Sequence, residues 1–293
     1  MSSQSHTVIL FYKFIEIDEP EVFKNQQLEL CESLGLTGRL LIASEGINGT
    51  FEGLDDRVQQ YMQTMKADDR FSDIKFKTSA GNGNAFPKLK IKVRDEIVTL
   101  KPNRNVCPAV ETATELTAEE LQAWYEADED FVVLDLRNEY EIASGYFEKT
   151  IDPGLRNFRD LDDKKIDELA NDPRIKGKKV LTVCTGGIRC EKATCLMNDE
   201  RFPDLYQLKD GIHDYMEKFP NQYFRGTLFV FDNRNVVDLG ADEQNSVIST
   251  CQFCDEPTKH YVNDDSKQQS EKILCCENCY EIRAEDLRPF VAQ

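Results

Sequence analysis

The residues best suited to chemistry in this chain are Cys184-Thr185-Gly186-Gly187-Ile188-Arg189-Cys190-Glu191-Lys192. A thiol attacks only as its thiolate, so a reactive cysteine needs surroundings that favour an anion. Gly186 and Gly187 let the backbone curl so that successive N–H groups converge on the sulfur, and Arg189 adds a fixed positive charge. The same residues also fit an inert buried cysteine beside a glycine-rich turn, with Arg189 paired to an acidic neighbour. Cys190 has two readings as well: a thiol that resolves an oxidised Cys184, or a structural residue at a helix start.

A second cluster lies near the C-terminus. Cys251-Gln-Phe-Cys254 and Cys276-Glu-Asn-Cys279 are two Cys-x-x-Cys pairs separated by residues 255–275. Each pair can grip one side of a tetrahedral ion, which points to zinc; the alternative is a set of reduced, unligated thiols. Cys275 competes with Cys276 for the third ligand, and His260 is a spare donor. A third feature is Lys88-Leu-Lys-Ile-Lys-Val-Arg94, whose strict alternation puts Lys88, Lys90, Lys92 and Arg94 on one face of a strand. That face is either a strip for contacting RNA phosphates or an edge strand using lysine against aggregation. Lys101 and Arg104 extend the basic region.

These groups need elements to hold them. Lys179 to Val183 reads as a buried parallel strand and Cys190 to Glu200 as a helix, which puts Cys184 at the carboxyl end of a strand, facing a helix N-terminus. Phe131 to Leu134 is another buried strand, ending in Asp135-Leu136-Arg137, and parallel pairing would bring Asp135 and Arg137 to the same edge. Thr117-Ala-Glu-Glu120 has capping-box spacing. With a helix near Lys164 to Ala170, a strand at Leu205 to Leu208 and a helix from Gly211 to Phe219, residues 106–226 read as a doubly wound parallel sheet. Earlier, Thr7 to Ile15, Glu19 to Ser33, Gly38 to Ala43, Ile47 to Phe51, Leu54 to Met65 and Asp73 to Lys77 run β-α-β-β-α-β. That is a ferredoxin-like, acylphosphatase-like order, assigned to residues 1–105. The turn-rich stretch Lys101 to Pro108 is the expected linker, and residues 227–293, which include a strand at Thr227 to Phe231, form a Cys-rich module.

The 293 residues suffice for two or three domains, and 40% hydrophobic content is ordinary for a folded protein. The N-terminus, Met-Ser-Ser-Gln-Ser-His, carries no secretory pattern, and no apolar run suits a membrane span; the expectation is a cytoplasmic protein whose ten cysteines serve thiol chemistry and metal binding. The net charge of −18 is uneven, at −1 over residues 1–105, −10 over 106–226 and −7 over 227–293. Generic affinity for nucleic acid is therefore excluded for the last two-thirds, and any RNA contact should involve the first domain. No flavin, haem or nicotinamide motif is present, and the three scattered histidines, His6, His213 and His260, do not form a facial iron site.

At Asp135-Leu-Arg137, Glu139-Tyr140, Gly145 and Cys184 to Lys192 the chain resembles the rhodanese family. Ala43-Ser-Glu-Gly-Ile-Asn-Gly-Thr50, Phe231-Asp-Asn-Arg234 and the cysteine tail make it similar, over nearly its whole length, to the rhodanese-domain tRNA uridine hydroxylases. The resemblance implies oxygen-dependent conversion of the wobble uridine, in the tRNA anticodon loop, to 5-hydroxyuridine, with Cys184 as the catalytic thiolate. Asp135, Arg137 and the loop residues Thr185 to Ile188 would then support that thiolate. Tyr146 stands where relatives often have His, and Asp210 where a second Gly is common. A phosphatase loop would need Arg at position 190, where this chain has Cys. Sulfur transfer through a Cys184 persulfide and a non-catalytic RNA-binding adaptor are the rival readings; the oligomeric state is open.

Overall fold

The structure is a computed structural model that describes residues 5–104, 106–239, 247–266 and 270–290. Asn105 of the expected linker and residues 1–4 of the N-terminal stretch lie outside them. The described residues form two compact units, one up to Thr99 and one from Leu100 onward.

In the first unit the strands are β1 (His6–Phe14), β2 (Thr37–Ala43), β3 (Gly46–Leu54), β4 (Phe76–Gly81) and β5 (Leu89–Val93), with helices α1 (Pro20–Leu34) and α2 (Asp55–Lys66). The sheet order is β4-β1-β3-β2-β5, which is the expected βαββαβ arrangement with β5 added in parallel to the β2 edge. Phe23, Cys31, Leu34, Val58, Tyr61 and Met65 of the helices pack on Ile9, Phe11, Leu40, Ile42, Ile47 and Phe51 of the sheet, so the helices share one face. β4 starts three residues later than the sequence indicates, because Asp69–Phe71 form a 3-10 turn that continues through the Ile74 N–H to Phe71 O bond.

β2 and β3 pair from Ala43 opposite Gly46, leaving Ser44-Glu45 as the turn. Glu45 Oε1 accepts from the Ile97 N–H at 2.8 Å and Asn48 Nδ2 donates to Ile97 O at 2.9 Å, so the Ala43–Thr50 motif ties down the chain that follows β5. Leu89, Ile91 and Val93 of β5 join the core, which turns Lys90 and Lys92 to the helix-free face. Arg39 of β2 lies opposite Lys90 in register and enlarges the basic surface.

The second unit contains β6 (Thr114–Leu116), α3 (Ala118–Glu126), β7 (Phe131–Asp135), α4 (Glu139–Ile142), β8 (Gly145–Phe147), β9 (Thr150–Ile151), α5 (Asp163–Ala170), β10 (Lys179–Val183), α6 (Ile188–Met197), β11 (Leu205–Leu208) and α7 (Gly211–Lys218). Its all-parallel sheet has the order β6-β11-β10-β7-β9. α3, capped by Thr117 and Glu120 as its sequence requires, packs with α7 over Leu181, Val183 and Val133, while Thr194 of α6 bonds Gln207 from the opposite face. Both faces are thus covered, and β7 is buried at all five positions, matching its unbroken apolar run.

The chain then continues through β12 (Phe224–Gly226), β13 (Leu228–Phe229), β14 (Val236–Val237), β15 (Tyr261–Asp264), β16 (Glu271–Leu274), α8 (Glu277–Ile282) and β17 (Leu287–Pro289). β12 pairs with β8, and β13 is shorter than the expected Thr227 to Phe231 because Asp232 and Asn235 turn the chain back for β14. The sheet β16-β15-β17 brings Tyr261 and Leu274 against Phe229, with Tyr140 packed alongside. Among the described residues no helix is long and apolar enough to cross a membrane.

Candidate active site

Val183, the last residue of β10, lies opposite Asp135, the last residue of β7, so the sheet delivers the Cys184 loop and the Asp135–Arg137 stretch to one edge. The loop is clasped from behind by α7, where the Ile212 N–H donates to Cys184 O at 3.0 Å and the His213 N–H to Thr185 O at 3.1 Å. Gly211 makes this approach close. A Cβ at that position would sit 2.7 Å from Cys184 O, Gly186 C and Gly187 N, and its φ of +73° already favours glycine. Asp210 before it adopts φ +62°, a left-handed conformation that Asp tolerates, which accounts for the departure from glycine there.

Cys184 is wholly buried, with 0% exposure. Burial alone would raise its pKa. The Cys190 thiol, the Arg189 charge and the N–H groups of Cys190 and Arg189 outweigh that and hold the pKa down to about 5. The Gly187 N–H also donates to Cys184 Sγ, at 3.1 Å. The sulfur is therefore an anion at neutral pH. Cys190 has the opposite fate: burial and the neighbouring Cys184 push its pKa well up, so it remains a thiol and acts as a donor. Cys195 lies farther along α6 and donates to Glu191 O.

Arg189 does not face the sulfur alone. Its guanidinium forms a buried two-point pair with Glu141, at 2.7 and 2.8 Å, and donates to Thr185 Oγ1 at 3.2 Å. Both readings of Arg189 thus meet in one side chain. Glu141 also accepts from the Asn138 N–H at 3.0 Å and from Thr185 Oγ1 at 3.3 Å. Burial works against its charge, and the two arginines, Arg189 foremost, more than offset this and hold its carboxyl below the usual range. Glu141 is not among the residues singled out from the sequence; its place three residues after Asn138, in capping-box spacing, is the signal that could have found it.

Asp135 and Arg137 pair with each other, fully buried, at 2.6 Å. Arg137 further donates to Gly145 O at 2.6 Å and Glu141 O at 3.4 Å, fixing the short α4 that carries Glu141. Their support of the loop is indirect. Phe231 places its ring 5.9 Å from the Arg189 guanidinium, and Tyr261 donates its hydroxyl to Tyr140 O at 2.5 Å, so the C-terminal segments close over α4.

Cys251, Cys254, Cys276 and Cys279 bring all four sulfurs within 4.8 Å of one another, with Cys254 and Cys276 at 3.6 Å. Thiolates about 2.3 Å from a tetrahedral zinc ion lie roughly 3.8 Å apart, so the donor set fits such an ion. Cys275 does not belong to it: its thiol turns to Cys276 O and packs in the small core of the module. His260 also lies outside the four-sulfur group, with its Nδ1 3.1 Å from Cys275 O. Cys275 and Cys276 are neighbours in an extended stretch and so point to opposite sides.

Lys88, Lys90, Lys92 and Arg94 lie in the first unit, apart from the cysteine loop in the chain's division. Arg104, grouped with them by sequence, belongs to the second unit, where it donates to Cys195 O and lies 3.5 Å from Glu111.

A parallel five-stranded sheet that ends in an amide-lined cysteine loop defines a rhodanese-like domain, and residues 117–218 match the family described as Rhodanese-like domain. Residues 6–97 match the UPF0176 acylphosphatase like domain and residues 225–286 the Rhodanase C-terminal family. Over 278 residues the chain is 39% identical to a protein of Bacillus licheniformis named tRNA uridine(34) hydroxylase, covering 93% of this chain and 84% of that one. Proteins of the same name from Aster yellows witches'-broom phytoplasma and Cytophaga hutchinsonii are 37% and 38% identical, covering 94% and 95% of this chain and 89% and 87% of theirs. The chain belongs to the tRNA uridine(34) hydroxylase family.

Proposed function

We propose that this chain is an oxidoreductase that hydroxylates uridine 34 of tRNA at C5, with Cys184 as the attacking thiolate. The observation that carries this reading is a buried sulfur held as an anion by the Cys190 thiol, Arg189 and loop N–H groups, in a chain of this family. The thiolate adds to C6 of the uracil ring, and the electron pair displaced from the C5–C6 bond makes C5 nucleophilic. C5 takes one atom of dioxygen, loses its proton, and expels Cys184 to restore the double bond. The other oxygen atom leaves as water, with two electrons and two protons from an external thiol reductant. Arg189 and the loop amides stabilise negative charge as it passes between sulfur and ring. Glu141 keeps Arg189 in place, and Asp135 and Arg137 keep α4 in place.

An anticodon base is already unpaired and enters a pocket at small cost. Because Cys184 is covered, catalysis requires its cover to open for that base. The basic face of Arg39, Lys88, Lys90, Lys92 and Arg94 supplies phosphate contacts, and the four tail cysteines hold zinc, which would organise a short module with a small core.

Nucleoside mass spectrometry of tRNA from cells lacking this protein tests the reading. 5-Hydroxyuridine should be missing, and restored by the wild type but not by Cys184→Ser. Restoration by Cys184→Ser would refute the assigned thiolate. The N–H-lined loop also favours sulfur transfer; a thiosulfate-to-cyanide turnover that Cys184→Ser abolishes, with normal 5-hydroxyuridine in the deletion strain, would replace this proposal by that one.

A further inference from the structure

A cavity of about 480 Å³ opens between α4 of the rhodanese-like domain and the C-terminal sheet. Its walls include Tyr140, Arg156, Asn157, Gln252 and Lys272. The volume lies within the range of small-ligand pockets, and the lining mixes charged and polar groups with the rings of Tyr140 and Tyr261 and the aliphatic Ala143, Ile273 and Leu274. Cys184 is not among the lining residues, so this is a second site. It is nevertheless coupled to the first. Tyr140 immediately precedes Glu141, the two-point partner of Arg189.

The chemistry of the walls points to a class of ligand. Arg156 and Lys272 are balanced by Glu139 and Glu271, so a free phosphate gains little net attraction. Arg156 is 75% exposed and only 3.9 Å from Glu271, which leaves its guanidinium plane available for stacking. Lys272 already lies 4.5 Å over the Tyr140 ring and 3.4 Å from its hydroxyl, making a fixed cation–aromatic wall. The side-chain amide of Gln252 makes no hydrogen bond to another described residue, and it offers a donor and an acceptor together. A guanidinium plane, an aromatic wall and an amide edge are what an unstacked nucleobase uses.

We propose that this cavity seats a second base of the RNA strand, a neighbour of the uridine that goes to Cys184. The inference rests on the function proposed above. Gln252 lies inside the first Cys-x-x-Cys pair, so the tail module shapes a wall of the substrate site.

The test measures binding of a labelled anticodon stem-loop to the full chain carrying Cys184→Ser, so that turnover plays no part. Arg156→Ala and Gln252→Ala alter exposed side chains and leave the fold intact. Each should weaken Kd roughly tenfold, the effect of losing one stacked or edge-bonded base. An abasic substitution next to the uridine should cost at least that factor in the unsubstituted background and markedly less with Arg156→Ala, which has already removed the stacking contact. Unchanged Kd in both variants, or independent losses at every flanking position, would overturn the assignment while leaving the Cys184 reading intact. Absence of any stem-loop binding would overturn both.

Discussion

At the scale of single residues, the reactivity of Cys184 rests on a division of labour between two neighbouring sulfurs. Cys190 keeps its proton and lends it, so that Cys184 can do without one. Replacing Cys190 with Ala should raise the Cys184 pKa from about 5, while Cys190→Ser, which retains a donor, should raise it less. Thiolate absorbance near 240 nm against pH, with Cys184→Ser as the blank, reads this directly. Stability follows the same titration, because the folded pKa lies below the value near 8.5 of a free thiol. The thiolate's contribution is complete above that value and is lost as pH falls through about 5. An identical titration in Cys190→Ala and the wild type would contradict the arrangement. The cysteine loop with Arg189 and the two Cys-x-x-Cys pairs stand out in the chain because their spacing is local. Glu141 does not, because its meaning comes from a partner 48 positions away.

At the scale of elements, the strand-loop-helix around Cys184 was readable from composition, whereas the grip of α7 on the loop was not. Gly211 looks like any glycine at a helix start, and only the fold shows a backbone pressed against three loop atoms. Gly177 provides the control, with a similar φ of +78° and no atom within 4 Å of an added Cβ. Gly177→Ala should cost about 1 kcal/mol, the penalty of the left-handed conformation. Gly211→Ala should cost about 3 kcal/mol, since the loop must also shift. Urea denaturation of both variants distinguishes the two effects, and equal losses would mean that the contact behind the loop is unimportant. The late start of β4 has a similar origin, because a local turn competes with strand pairing in a way that alternation alone does not register.

At the scale of the whole molecule, a chain of charge −18 must bind a polyanion through a restricted surface. The alternating lysines of β5 were plain in the sequence; their enlargement by Arg39 required knowledge that β5 joins β2 in parallel. Lys90→Gln with Lys92→Gln should weaken stem-loop binding and reduce the slope of log K against log salt by about 1.4, near 0.7 for each phosphate that is no longer neutralised. An unchanged slope would return β5 to the role of a guarded sheet edge.

The 0% exposure of Cys184 has one more consequence. An enzyme that activates an oxidant risks spending its own sulfur, because the anion that attacks a base is also the form most easily converted to sulfenic acid and beyond. Enclosing that atom when no RNA is bound confines its vulnerability to the moments of turnover. The resting protein should outlast peroxide doses that inactivate it while it works.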